Sequence, residues 1–252
     1  MNKFLLFSRF QLKIVLRDYK GALIGFLMPL FSFVIFGNLF SQPDADMYGG
    51  VNIVPYLIPA FTLIIVINAV LLMFGQYYAN YREQGTLLKY KLLGLSDSFV
   101  TVSIFLSTIV FQILAITFLV ILGNVTQNVS IPYTNLVSIG IGLVIINFYQ
   151  YALSLILQAL VKNSTAYGSL ALLLFNFQMF LGGLTFPPEI MPEFLMNVVK
   201  YCNPIYYGLI MFRGIWTDEK SILDFWQEGL ILIIVTLLMI FVSYLLNKRK
   251  EF

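Results

Sequence analysis

The sequence predicts an all-α membrane protein with six transmembrane helices. Three observations carry that prediction. Hydrophobic residues fill 60% of the 252 positions and charged residues only 11%, against about 45–50% and about 25% in an ordinary soluble domain. Six runs reach or approach the roughly 20 predominantly apolar residues needed to cross a bilayer, and none contains Asp, Glu, Lys or Arg. The basic residues collect in the connections on one side of those runs.

Residues 1–20 mix charged and apolar side chains, with no short apolar core followed by a small-residue cleavage site, so they do not read as a cleavable signal. Arg9, Lys13, Arg17 and Lys20 recur at spacings of four, four and three and share one helical face, with Phe4, Leu12, Val15 and Tyr19 opposite. That pattern predicts an amphipathic helix along the membrane surface, its cations near anionic headgroups. A plain positive-inside anchor is the simpler reading; a helix that also touches a cytoplasmic partner is the sharper one.

The first span is expected at 21–40, ending at the turn-prone Ser41-Gln42-Pro43-Asp44, and the second at 55–79. A polar stretch, 80–98, carries Arg82, Glu83, Lys89, Lys91 and Asp97 and is expected to hold a short surface helix built on Leu87, Leu88, Leu92, Leu93 and Leu95, with Gly94 as its stop. The third, fourth and fifth spans are expected at 99–123, 136–160 and 166–184. Residues 185–228 are broken by Pro187-Pro188, Pro192 and Asn203-Pro204, which cannot sit inside a regular helix. Because this segment is too apolar for an ordinary loop, two short re-entrant helices are expected, buried in protein or lining water. The last span, 229–246, is closed by Lys248-Arg249-Lys250. No linker divides the chain, so 1–252 reads as one domain.

Lys and Arg set orientation, because short loops rich in them stay in the cytoplasm. With the N-terminus inside, twelve of the fifteen basic residues fall on the inner side, leaving Lys200, Arg213 and Lys220 outside. Both termini are therefore expected in the cytoplasm of a multi-pass protein of the cell membrane.

Absences narrow the function. The chain has no histidine and a single cysteine, Cys202, which removes disulfide frameworks, Cys/His zinc sites and histidine-based triads within it. No G-x-x-x-x-G-K-[ST] loop occurs, so no phosphate-loop ATPase site is expected here. Spans without ionisable residues argue against an ion-coupled carrier. The triplets Asn124-Val-Thr126 and Asn128-Val-Ser130 match the glycosylation pattern, as chance triplets do. The in-span polar residues Asn68, Gln112, Asn147, Gln150, Asn176 and Gln178 are expected to bond between helices, with substrate contact as the alternative. The aromatics Phe148, Tyr149, Tyr151, Phe175, Phe177 and Phe180 belong to interface belts or to a translocation path.

Two motifs go further. Arg82-Glu83-Gln-Gly85-Thr86-Leu87 directly after a second span, followed by a leucine-rich helix ending in Leu95-Ser96, resembles the coupling helix of ABC type-2 transporter permeases. Gly182-Gly183, Phe186-Pro187-Pro188, Pro192, Asn203-Pro204, Tyr207 and Arg213 resemble the segment after the fifth span in the same family. One departure stands at Leu93-Gly94, where the family usually has a threonine or serine and then a proline. The resemblance implies the permease subunit of an ATP-driven exporter, not itself an enzyme, with ATP and Mg2+ held by a separate ABC ATP-binding subunit present in two copies. It implies a second permease, identical or related, and a lipid environment, with no nucleic acid. Arg82 and Glu83 are then expected to contact the ATPase, with Gly85, Thr86, Leu87, Leu92, Gly94 and Leu95 seated in its groove. Gly182, Gly183, Phe186, Pro187, Pro188, Pro192, Asn203, Pro204 and Tyr207 are expected to form an outer gate. A path free of charge suits amphipathic or hydrophobic cargo: a drug, a hydrophobic or antimicrobial peptide, or a lipid. A lipid-linked polysaccharide is the alternative. An ion-coupled carrier or a non-transporting membrane partner protein are the other classes.

Overall fold

A computed structural model of the chain describes residues 3–40, 54–185, 188 and 191–248. The described residues are helical throughout, in eleven α-helices: α1 (Lys3–Arg17), α2 (Tyr19–Phe40), α3 (Val54–Ile67), α4 (Gly75–Glu83), α5 (Thr86–Leu92), α6 (Asp97–Gln127), α7 (Leu136–Leu160), α8 (Ser164–Leu181), α9 (Glu193–Cys202), α10 (Ile205–Thr217) and α11 (Trp226–Lys248). Short 3₁₀ turns precede α7 and α11, and a π-helical segment, Asn68–Phe74, joins α3 to α4.

Five helices among the described residues are long and apolar enough to cross a membrane: Tyr56–Glu83, Asp97–Gln127, Tyr133–Leu160, Ser164–Leu181 and Ile222–Lys248. They correspond to the second to sixth expected spans. The expected first span falls in α2, whose described apolar stretch, Leu27–Leu39, is shorter.

The helix through Tyr56–Glu83 is the axis of the fold. The chain itself buries 89% of its most apolar stretch, against 17% for α8 and 22% for α11, so the other helices screen this one while α8 and α11 turn most of their surface outward. Around it stand α2, α6, α7, α8 and α10. The core runs from Phe33 on α2 through Leu63, Ile67 and Leu71 to Ile146 on α7 and Phe212 on α10, all almost fully enclosed.

Local sequence explains the boundaries. Ser96 starts α6 by accepting the Phe99 amide at 3.2 Å, and Asn163 starts α8 by accepting the Ala166 amide at 2.7 Å, the ordinary side-chain caps for orphan N–H groups. The third expected span ends at 123, yet α6 continues to Gln127. Its polar last turn closes on Asn128, whose positive φ of 51° makes the left-handed helix end. The 185–228 segment does hold two short helices, but they differ in kind. α10 is largely buried against α3, α7 and α11, whereas in α9 only Val199 is buried and Phe194 and Tyr201 stand exposed.

α1 packs on the bundle by one face. Its inward face meets α6, with Ser107 donating to the Ser8 carbonyl at 3.3 Å. Tyr81 donates to Gln11 at 3.1 Å and Tyr77 to Asp18 at 2.6 Å. The outward face carries Arg9, Lys13 and Arg17 among exposed Leu5, Leu6, Phe10 and Leu16. The helix breaks at Asp18, so Lys20 belongs to α2 rather than to the basic stripe of α1.

The interior is apolar but not without polar anchors. Gln150 on α7 and Gln178 on α8 are enclosed and exchange bonds of 2.6 and 3.4 Å. Asn147 and Asn176 instead bond back to their own helices, at Leu143 and Leu172. Replacing Gln150 alone by leucine strands the Gln178 amide in a dry interior and is expected to cost about 1–2 kcal/mol. The double change Gln150→Leu, Gln178→Leu is expected to recover most of that. Thermal unfolding of the four proteins in detergent, read as a double-mutant cycle, checks it; additive costs would dissolve the pairing.

Candidate functional site

Two regions along the central helix gather the residues of interest, and the π segment contributes Asn68 and Leu72 to one of them.

The first region is α5 and its attachments. Gly85 (φ 68°) and Gly94 (φ 78°) bracket this seven-residue helix in the left-handed conformation that glycine adopts without strain. The expected stop at Gly94 is where the backbone turns. Leu87 and Leu95 pack inward with Tyr90 against the Val70, Phe74 and Val100 cluster. Phe7 of α1 meets the Tyr90 ring edge-on at 5.1 Å, and burial pushes the Tyr90 phenol up from its ordinary pKa, keeping it neutral. The other side of α5 is bare. Leu88, Leu92 and Leu93 are 62%, 81% and 75% exposed, beside exposed Lys89 and Lys91. Three exposed leucines thus sit together beside two cations, an apolar patch on a polar connection.

Arg82 and Glu83 each make bonds within the chain. The Arg82 guanidinium donates to the carbonyls of Gln158 (2.5 Å) and Val161 (2.7 Å), at the C-terminal end of α7. The Glu83 carboxylate accepts the Ser164 amide at 2.8 Å, at the first residue of α8. Each charge matches the dipole it meets: a cation at a helix C-terminus, an anion at an N-terminus. Gln76, two turns earlier on the Glu83 face, donates to the Ser164 carbonyl at 3.2 Å. These residues therefore grip the chain's own α7–α8 turn. Of the expected coupling set, Gly85, Thr86, Leu87, Leu92, Gly94 and Leu95 are brought together on α5 and its hinges.

The second region is a cavity of about 440 Å³ between α2, α3 and α8. Met28, Phe36, Phe61, Phe175 and Phe180 give it an apolar wall, and Asn68, Ser32 and Thr185 are its few polar groups. Asn68 is the first residue of the π segment. The adjoining exposed stripe of α8 carries Thr165, Ser169 and Asn176 among Leu172, Leu173 and Phe180. Ser169 and Asn176 bond back to the Thr165 and Leu172 carbonyls, so the stripe combines satisfied polar groups with apolar side chains and is able to face another protein surface. Among the expected path aromatics, Phe175 and Phe180 line the cavity, whereas Tyr151 packs against Phe74 and Phe105 in the interior.

Of the expected gate residues, Phe186 and Pro187 lie outside the described residues. Gly182 and Gly183 end α8 in a buried turn, Pro192 precedes α9 and Pro204 precedes α10. Asn203 is buried and donates to the Phe177 carbonyl at 3.2 Å, tying the α9–α10 turn to α8. Tyr207 stands edge-on to Tyr206 at 5.5 Å, and Pro188 lines a separate polar pocket with Arg213, Asp218 and Lys220.

Sequence reasoning missed the polar lock on the π segment. A π turn widens the helix and leaves carbonyls without their usual partners. The Tyr167 hydroxyl donates to the Leu71 carbonyl at 2.7 Å and stands 2.8 Å from Ser154 Oγ, which is left to donate to it. Gln158 donates to the Gly75 carbonyl at 2.6 Å. Polar side chains at 154, 158 and 167 in otherwise apolar helices were the available signal.

An all-helical chain whose described residues hold five helices long and apolar enough to cross a membrane defines a multi-pass membrane protein. Comparison with protein families makes that specific: the ABC-2 type transporter family matches residues 2–216, most of the chain. The chain belongs to the ABC-2 type transporter family, as the membrane permease component of an ABC transporter with an ATP-binding partner. No curated protein matches it.

Proposed function

We propose that this chain is the permease of an ATP-driven exporter in the cell membrane, moving an amphipathic or hydrophobic molecule outward. The observation that carries the reading is the bare leucine face of α5. A family member needs a route by which a separate ATPase moves it, and Leu88, Leu92 and Leu93 are the apolar anchors such a groove would take. In this reading α2 supplies the sixth span, and the charge pattern supports a cytoplasmic side for α1, α5 and the two terminal segments. Two ATP-binding subunits, carrying the ATP and Mg2+, would draw together and push on two coupling helices. The movement is passed on as rigid-body motion of helices. The gate residues around Gly182–Tyr207 would control the outer opening.

Cargo follows from the cavity. Its wall is almost wholly apolar, with Asn68, Ser32 and Thr185 as its few polar groups, a lining that suits a drug, an apolar peptide or a lipid more than a sugar polymer. A second permease facing the α8 stripe would cover Thr165, Ser169 and Asn176 and close the cavity between two copies.

Mild-detergent purification of the tagged chain from its own host tests this. A phosphate-loop ATPase is expected to come down with it in a one-to-one ratio, and the complex in vesicles is expected to hydrolyse ATP. A chain that purifies without any ATPase, and moves a fluorescent amphiphile in response to an ion gradient alone, would show a carrier instead.

A further inference from the structure

We propose that Arg82 and Glu83 are positioning residues that work inside the chain. They carry the movement of the coupling helix to the α7–α8 turn and so to the wall of the cavity, instead of binding the ATPase. The inference rests on the exporter reading above. Its basis is that the α5 surface and the α8 wall are joined by a short polar linkage. α5 hangs from Glu83 through two residues, Gln84 and the left-handed joint Gly85. Directly before that joint, Arg82 holds two carbonyls at the end of α7 and Glu83 holds the first amide of α8.

The linkage grips on both sides of one residue. Ser164 has its amide held by Glu83 at 2.8 Å and its carbonyl held by Gln76 at 3.2 Å, so α4 cannot shift along its axis without drawing Ser164 with it. From Ser164, α8 runs unbroken to Leu181. Its residues Leu172, Phe175, Met179 and Phe180 form one side of the cavity. At about 1.5 Å per residue the first of the two aromatic wall residues, Phe175, stands roughly 16 Å from the grip, and a helix transmits a push over that length as a rigid rod. The rest of the turn is short and capped by Asn163, which leaves little slack between α7 and α8.

The chemistry separates this role from an ATPase contact. Helix capping at Ser164 needs an acceptor atom and not a charge, so Glu83→Gln keeps the function and Glu83→Ala loses it. A salt bridge to a partner would fail in both. Arg82→Lys can reach one carbonyl at a time and is intermediate, and Arg82→Ala fails.

The test uses the permease with its co-purified ATPase in vesicles, in a Cys202→Ser background that removes the one exposed native thiol, with a reporter cysteine at Asn176 on the α8 stripe. N-ethylmaleimide labelling of that cysteine is compared with and without ATP plus vanadate, beside ATPase binding and ATP turnover. Expected is normal binding and ATP turnover for Glu83→Ala and Arg82→Ala, with the nucleotide-dependent change in labelling reduced about tenfold, the scale for losing hydrogen bonds to charged groups. Glu83→Gln is expected to label like the parent. Weakened ATPase binding in Glu83→Gln and Glu83→Ala alike, with labelling in the bound fraction unchanged, would overturn the inference and return these charges to the ATPase interface. If the parent binds no ATPase, the exporter reading itself falls, and the inference with it.

Discussion

Leu92→Glu is expected to weaken association with the ATP-binding subunit by about a hundredfold or more, while the permease still inserts and folds. Leu92 is 81% exposed, so within the chain a carboxylate there meets only water and exposed Lys89 and Lys91. In an apolar groove the same carboxylate must be stripped of water. Truncating a central anchor costs about 2–4 kcal/mol, and placing a charge there costs at least as much, which is the origin of the hundredfold figure. Leu93→Glu and Leu88→Glu are expected to follow, whereas Leu87→Glu differs in kind. Leu87 packs inward, so a charge there threatens the fold rather than the docking. Quantitative pull-down of the ATPase against permease concentration, with size-exclusion profiles as the control for folding, measures this. Full affinity in Leu92→Glu would remove α5 as the docking element.

The membrane helices were legible because a run without charge can mean little else, and the polar stretches that punctuate the chain mark where spans stop. Gly94 was legible for a local reason: a helix end needs a left-handed residue, and the structure places one there at φ 78°. The bonds that Arg82 and Glu83 make within the chain were not legible. The residue order suggested an ATPase contact for them, and their partners in the chain, at Gln158, Val161 and Ser164, are backbone groups far along the sequence. Nothing in an ordering of side chains identifies a carbonyl as a partner. The π segment was hidden for another reason. Periodicity reveals a helix through alternating apolar and polar faces, and from Tyr56 to Phe74 only Thr62 and Asn68 are polar by side chain apart from the Tyr56 hydroxyl. A helix enclosed on all sides carries no stripe from which a change of pitch could be read.

That π segment supplies the second large effect. Gly75→Ala is expected to destabilise the protein by about 3 kcal/mol or more, although alanine is the better helix former by about 1 kcal/mol. A methyl group on Gly75 would overlap the Tyr167 hydroxyl. Tyr167 is wholly enclosed and has no free space into which to retreat, so the overlap must be relieved by moving packed groups, at about 1–3 kcal/mol. Once the hydroxyl moves it releases the Leu71 carbonyl and Ser154, and an orphaned group in a dry interior adds about 1–3 kcal/mol. Gly140→Ala provides the contrast, since a methyl there meets open space near the start of α7; it is expected to be neutral or slightly stabilising. Tyr167→Phe keeps the ring and removes the hydroxyl, so it is expected to cost only the hydrogen bonds, about 1–2 kcal/mol. Thermal unfolding of the three variants in one detergent ranks them. The order Gly140→Ala, Tyr167→Phe, Gly75→Ala from most to least stable follows from the close approach of α4 to α8. Equal stability of the two alanine variants would mean that the approach is not there. The same close approach fixes where the central helix is able to change pitch. Returning Asn68–Phe74 to regular α-helix removes one residue's excess and turns one half of the helix by about 100° against the other. The bonds of Tyr167 and Gln158 to the Leu71 and Gly75 carbonyls therefore fix the pitch of a segment whose first residue, Asn68, lines the cavity.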